Sequence, residues 1–447
     1  MGAMIAPLRK SADEHGNIPD KGAIHRASTV EDQMKRIYSI LLLACMVLAL
    51  FSAACGGGSG GSTSSNQPVT ITIWHGWGGT YVGAKQAIFQ AYMKLHPNVT
   101  IKLVQVTQNL IQKSITAIRA NNGPDIVAWV DDSLGEMVDS HSVVPMDQYI
   151  SQSYVNSTYT QAAAQAVQFN GHVYGVPETV EAVTIMYNKK LINASQLPTT
   201  TDQMLTFEQT YEQQHPGKYG IVWPTQDAYY NAAWFYGFGA FYVKPDGTVG
   251  LNTPQATAAG NFIASFRPYL PKQIDGTTAS SLFTGGKAAA IIDGPWAVAN
   301  YATTSGIDVG YATLPVVPSN NNTHGSPFVG VKSLWVTKNS KNQAIDADIM
   351  KFYTNTQNQL QMIKATSEIP ANQAALQDSS VKSNPAISGF ADQVQYGTPL
   401  PNTPYMSALW TPVANALTAI WNGTETPAAA LASAQTAAVK GVQGITT

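Results

Sequence analysis

The chain has 447 residues and a formal net charge of −2, and 12% of its residues are charged, against about 25% in an average soluble protein. No basic stripe suggests a nucleic-acid partner and no acidic block suggests a solvating tail. The two cysteines are Cys45 and Cys55, so the body of the chain has no disulfide and no cysteine nucleophile.

In chain order, residues 1–33, with "PLRKSADEHGNIPDKG", are polar and unperiodic, and are read as an N-terminal extension ahead of a true start at Met34. Lys35 and Arg36 then lead into the apolar run "ILLLACMVLALF" and the small residues Ser52, Ala53 and Ala54. A positive end, a short apolar core and a small-residue cleavage site make 34–54 a secretory signal. "SAAC" at Ser52 to Cys55 resembles a bacterial lipobox, with Ser52 where that motif usually has leucine. On this resemblance Cys55 is the lipidated first residue of the mature chain, and an ordinary secreted protein is the alternative. The Gly/Ser-rich stretch 55–68 is a flexible tether that lets a domain stand off a membrane surface.

"PVTITIWHGW" alternates β-branched residues as a strand does, and "YVGAKQAIFQAYMKLHP" has helical spacing ending at Pro97. Strand "VTIKLVQV", helix "NLIQKSITAIRANNG" and strand "PDIVAWV" follow, an α/β order that predicts a largely parallel sheet. "GHVYGVPETVEAVTIMYNKKL" gives a turn and two β-rich runs, and "TTDQMLTFEQTYEQQHPG" a helix capped by Thr or Asp. Next come strand "YGIVWP" and an aromatic-rich helix from Ala228 to Phe238. Alternation continues to about Asn342, after which helices dominate. No second apolar run approaches the roughly 20 residues that span a bilayer, and no linker divides the chain into consecutive halves.

Nine tryptophans are present, and several stand where a strand gives way to a loop, the edge at which open α/β sheets bind ligands. Each taken alone is more readily a core anchor. Together with Asp131, Asp132, Glu178, Glu181 and Asp227 they suit a carbohydrate, whose C–H face stacks on indole and whose hydroxyls need carboxylates or amides. The same carboxylates suit a glycosidase, which needs a pair flanking the scissile bond. "GGTYVGAK" lacks the Gly-Lys-Ser/Thr ending of a phosphate loop, and the eight histidines show no HExxH spacing. No metal and no cofactor are expected.

"GPDIVAW", "VEAVTIMYNKKL", "DGPWAVANY", "LPVVP", "SPFVGV" and "PNTPYMSALW" occur in the order seen in maltose/maltodextrin-binding proteins. From about Thr70 to Ala434 the chain resembles these receptors of sugar ABC transporters, among the family 1 extracellular solute-binding proteins. The resemblance implies an α/β, two-lobe periplasmic-binding-protein-like fold of type II, with the ligand cleft between lobes joined by a three-crossing hinge. The N-terminal lobe would be 69–181 plus 329–382, and the C-terminal lobe 182–328 plus 383–447. The crossings would lie near Glu181 to Val183, Phe328 to Val331 and Val381 to Pro385.

The resemblance assigns Trp129 and Asp132 to the N-lobe wall, Glu181 to the hinge side, Asp227 and Tyr229 to polar and aromatic positions, and Trp296 and Trp410 to ring stacking. Gly78 and Gly79 stand where those receptors have an Asp-Lys pair, and Ser133 and Ala414 each replace an arginine. Trp77, absent from that pattern, is expected to compensate by stacking. The implied protein is no enzyme but a monomeric, lipid-anchored sugar receptor on the extracellular face of the cytoplasmic membrane, or in the periplasm if an outer membrane is present. Its partners would be an oligosaccharide, α-glucans favoured, and an ABC permease. A different oligosaccharide, a secreted glycosidase, a two-lobe receptor for a polyamine, an amino acid or a metal chelate, and a purely structural surface lipoprotein are the alternatives.

Overall fold

The computed structural model describes residues 67–78 and 81–446. The extension at 1–33, the signal at 34–54, Cys55, nearly all of the tether and Gly79 lie outside the described residues.

Alternation in β1 (Val69–His75) puts Ile71 and Ile73 wholly inside the core, as a period of two requires of a strand with one buried face. Helix α1 (Tyr81–Leu95) buries Tyr81, Ile88, Phe89 and Tyr92, the stripe that three-to-four spacing gives an amphipathic helix. Strand β2 (Val99–Gln105), helix α2 (Leu110–Arg119) and β3 (Ile126–Val130) complete the predicted unit, and β1 pairs in parallel with both β2 and β3.

Strand β4 (Gly175–Glu181) belongs to the same sheet, and two buried residues, Ala182 and Val183, carry the chain into β5 (Thr184–Asn188) of a second sheet. Strands β6 (Tyr219–Val222), β7 (Ala288–Asp293) and β8 (Val309–Ala312) complete that sheet in the order β8-β5-β7-β6. The chain returns through β9 (Phe328–Val336), and the first sheet reads β10-β4-β9-β3-β1-β2, with β10 at Ile369–Pro370 and Thr398–Pro399 beside β9. After Asn384, which caps the next helix, Pro385–Val394 lies against the second sheet, Phe390 packing 5.7 Å from Tyr311.

The largely parallel sheet expected from element order is corrected to a mixed one. Strand β9 is antiparallel to β3 and β4, and in the second sheet β5 is antiparallel to β7 and β8. A parallel neighbour needs a crossover on the same sheet. A chain that leaves at β4, builds another sheet and returns at β9 is free of that requirement. Among the described residues no helix is long and apolar enough to cross a membrane.

The first sheet carries buried charges. Lys85 of α1 pairs with Glu178, and its ammonium lies 3.9 Å from Glu368. Lys332 is 2.8 Å from Glu181 and 2.7 Å from Glu368, and the Tyr353 hydroxyl donates to Glu178 at 2.7 Å. Register explains the Lys332–Glu181 pair: Gly330 faces Glu181 and Lys332 faces Thr179, which makes Lys332 and Glu181 diagonal neighbours on one sheet face. Burial alone would raise the Glu368 pKa, but Lys332 and Lys85 outweigh it and hold the carboxyl below its ordinary value.

Two other buried acids set a pH dependence. Burial pushes Glu208 up to about 7, although the Ile221 N–H donates to it at 2.8 Å, and pushes Asp346 up to about 7 as well. A carboxyl raised in the folded state contributes stability that is complete below its unfolded pKa and lost as pH climbs through the folded one. Over that window, from about 4.5 to 7 for Glu208, the chain should become less stable. The urea midpoint is expected to be lower at pH 8 than at pH 5, with Glu208→Gln flattening the difference. A midpoint that rises over the same interval would contradict this account.

Candidate functional site

Three indoles are placed by three unrelated elements. Trp129 stands one residue before the end of β3, and a Cβ on Gly76 would lie 1.9 Å from its ring. Only a glycine at 76 lets that ring lie against the β1 loop. Trp296 follows β7, whose last residue fixes the turn. Asp293 accepts from the Tyr230 hydroxyl at 2.8 Å, the Tyr301 hydroxyl at 2.6 Å and the Gly294 N–H at 2.8 Å. The Trp296 ring folds back over Gly294, where a Cβ would meet it at 2.2 Å. Trp410 opens the helix Trp410–Asn422, and its Nε1–H donates to Asp132 Oδ2 at 3.1 Å.

Trp129, Trp296 and Trp410 border one cavity of about 420 Å³. Asp132, Glu181, Asp227 and Tyr229 border the same cavity, so seven of the eight expected residues converge on it. Asp132 comes from the turn after β3, and Glu181 ends β4 where the chain leaves the first sheet. Asp227 caps the helix Ala228–Gly237, one carboxylate oxygen accepting from the Tyr229 and Tyr230 N–H groups at 2.8 and 3.2 Å.

Burial pushes Asp132 up to about 7, against the lowering effect of its Ser133 and Trp410 hydrogen bonds, and Asp227 is raised by burial too. The Tyr229 hydroxyl is buried without a hydrogen-bond partner. Such a group costs about 1–3 kcal/mol, a penalty that a hydroxyl-bearing ligand in the cavity would relieve.

Trp77 departs from expectation. It is 6% exposed within the core, its ring stacked 4.6 Å from His75 with the Lys85 ammonium 4.5 Å from its centroid. It borders a side cavity of about 220 Å³ shared with Lys85, Lys332, Glu181 and Trp296. Trp77, expected to compensate by stacking, is thus a largely enclosed ring on the wall of this side cavity and not of the central one. Asp131 and Glu178 are also structural: Asp131 accepts from the Val331 N–H at 2.8 Å, and Glu178 pairs with Lys85.

Sequence reading missed Gln226 and Leu400 in the main cavity and the two lysines beside it. Gln226 adjoins the singled-out Asp227, which was its one available signal. Leu400 had none.

Two α/β lobes with an aromatic, carboxylate-bearing cleft define a two-lobe receptor for a small solute. Residues 87–389 match the bacterial extracellular solute-binding protein family, and the chain belongs to it. The maltotriose-binding protein of Pyrococcus abyssi (strain GE5 / Orsay) is 29% identical over 370 residues, covering 82% of this chain and 78% of that protein. The galactooligosaccharide-binding protein of Bacillus subtilis (strain 168) is 29% identical over 417 residues, covering 89% and 96% respectively. A cyclo/maltodextrin-binding protein crystallised with maltotetraose has a TM-score of 0.73 at 30% identity, over 85% of this chain and 99% of that one.

Proposed function

We propose that this chain is a lipid-anchored extracellular receptor that captures an oligosaccharide, α-linked glucans favoured, and delivers it to an ABC transporter permease. The observation that carries the reading is the gathering of three indoles, three carboxylates and a buried unpartnered tyrosine hydroxyl around one cavity. Among the described residues no lysine or arginine borders that cavity, which suits an uncharged, hydroxyl-rich ligand. The maltotriose-binding and maltotetraose-bound relatives favour α-glucans. The Bacillus subtilis relative supports a second reading, a galactooligosaccharide.

The proposed lobes are 69–181 with 329–382 and 182–328 with 383–447, closing over sugar about the chain crossings. Ligand then shifts the open and closed populations by its differential affinity for them. Capture without reaction is the proposed activity, by a monomer, with no cofactor. Anchoring rests on Cys55, whose lipid chains and tether would keep the receptor beside its permease. Ala414 borders the cavity where the resembling receptors have an arginine, and each charged hydrogen bond so lost is worth about 1.5–3 kcal/mol.

The deciding experiment is tryptophan fluorescence of the mature chain titrated with maltose, maltotriose, trehalose, cellobiose, galacto-oligosaccharides and a xylo-oligosaccharide. A saturable change with α-glucans supports the first reading, and silence with every sugar overturns the ligand class. Glu181→Gln should weaken binding severalfold, and sugar recovered from the wild-type complex should be unshortened.

Affinity should also depend on pH. Asp132 loses its proton as pH passes about 7, and an ionised carboxylate makes stronger hydrogen bonds to sugar hydroxyls than a neutral one. Binding is expected to strengthen from pH 6 to pH 8, and Asp132→Asn to remove that trend. An equal slope in wild type and variant would exclude Asp132 as its source.

A further inference from the structure

A hydrogen bond crosses directly from α1, on the first sheet, to the loop that follows β7 of the second. The Tyr81 hydroxyl donates to the Pro295 carbonyl at 2.7 Å, between residues 214 apart in sequence. Tyr81 is the first residue of α1 and is 7% exposed, and Pro295 is buried immediately before Trp296.

Each end of this bond is fixed by its own surroundings. The ammonium groups of Lys85 and Lys332 lie 6.0 and 5.7 Å from the Tyr81 ring centroid, within the range at which a ring face attracts a cation. Both lysines belong to the buried network of the first sheet. On the other side the Pro295 carbonyl also accepts from the Val298 N–H, and the turn before it is held by Asp293. The Trp296 loop therefore does not need Tyr81 to take its shape. What the hydroxyl adds is a tie to α1.

We propose that Tyr81 is a positioning residue for capture, its hydroxyl latching the Trp296 loop to α1 only while the lobes are closed and so prolonging the stay of the sugar. The proposal rests on the receptor reading and the lobe division above. Tyr81 borders the side cavity and not the central one, so it acts through the loop. Bonds of the O–H···O type span about 2.5–3.0 Å, and a parting of the lobes by about 1 Å at this point breaks this one. Water then reaches both groups, so the latch favours the closed form by its net worth alone. Sugar enters the open form, in which the bond is absent. Deleting the donor therefore leaves association as it is and speeds reopening, the step on which most affinity differences between related complexes fall.

The test is stopped-flow tryptophan fluorescence of the mature chain, wild type and Tyr81→Phe. The probes are maltose and maltotetraose, or the galacto-oligosaccharides of two and four residues if the wild type binds that series. Phenylalanine keeps the ring beside both lysines and removes only the donor. The expected result is dissociation about three- to tenfold faster, the factor that one net hydrogen bond corresponds to. That factor should agree for the two sugars to within about twofold, because the latch does not touch the ligand, and association should stay within about twofold of wild type. Unchanged dissociation overturns the latch. So does a loss confined to one sugar, which would make the hydroxyl a ligand contact, and so does slower association in place of faster dissociation. Each of these leaves the receptor reading intact, whereas a wild type that binds no sugar overturns that reading and the latch with it.

Discussion

Lys332→Met is expected to destabilise the protein by about 3–5 kcal/mol, the range seen when one partner of a buried ion pair is removed. Lys332 is 16% exposed and lies 2.8 Å from Glu181 and 2.7 Å from Glu368, which are themselves 6% and 0% exposed. Methionine matches the length of the lysine stem but leaves both carboxylates facing a low-dielectric interior. Lys85 cannot replace it, since it is already paired with Glu178 and stands 3.9 Å from Glu368. Urea denaturation checks the size of the effect, with Lys338→Met as an exposed-lysine control expected to stay within about 0.5 kcal/mol of wild type. Adding Glu368→Gln to Lys332→Met should recover part of the loss, because one uncompensated charge is then gone. A Lys332→Met midpoint equal to that of the control would mean that the network is not a stabilising neutralisation.

Trp410→Ala is expected to weaken oligosaccharide binding by about tenfold or more. Two effects add. The stacking surface is lost, at roughly 0.5–1.5 kcal/mol by analogy with aromatic pairs. Asp132 also loses the indole N–H that donates to it at 3.1 Å, and so loses the group that orients it. A tenfold change corresponds to about 1.4 kcal/mol. Trp296→Ala removes the stacking surface and one hydrogen bond to Asp293, but Asp293 remains held by Tyr230, Tyr301 and the Gly294 N–H, so its loss should be smaller. Calorimetric titration separates the two, and urea midpoints near wild type show that the fold is intact. Equal and unchanged affinities in both variants would remove these indoles from the ligand site.

The same residue type went different ways in this chain, and that shows how far sequence reading reaches. Trp129, Trp296 and Trp410 border the cavity, while Trp223, Trp234 and Trp335 are fully buried. Strand ends marked Trp129 and Trp296, and the family resemblance marked Trp410. Trp77 also follows a strand end, yet it is enclosed by His75 and Lys85, neighbours that its local pattern does not announce. Asp131 and Asp132 are adjacent, but the first is spent on the Val331 backbone and the second faces the cavity.

By itself the sequence determined the elements whose causes are local. Alternation set β1 and β2, a short apolar run set β3, helical spacing set α1 and α2, and capping residues set helix starts such as those after Thr200 and Asp227. It also supplied the inventory of indoles and carboxylates that a sugar needs. The tertiary structure decided everything that depends on distant partners: the antiparallel return of β9, the joining of Lys85, Lys332 and three glutamates into one buried network, and the enclosure of Trp77. The physical reason is one of range. Periodicity records that a face is covered, and only the folded chain, bringing residues 132 and 410 within a hydrogen bond, decides what covers it.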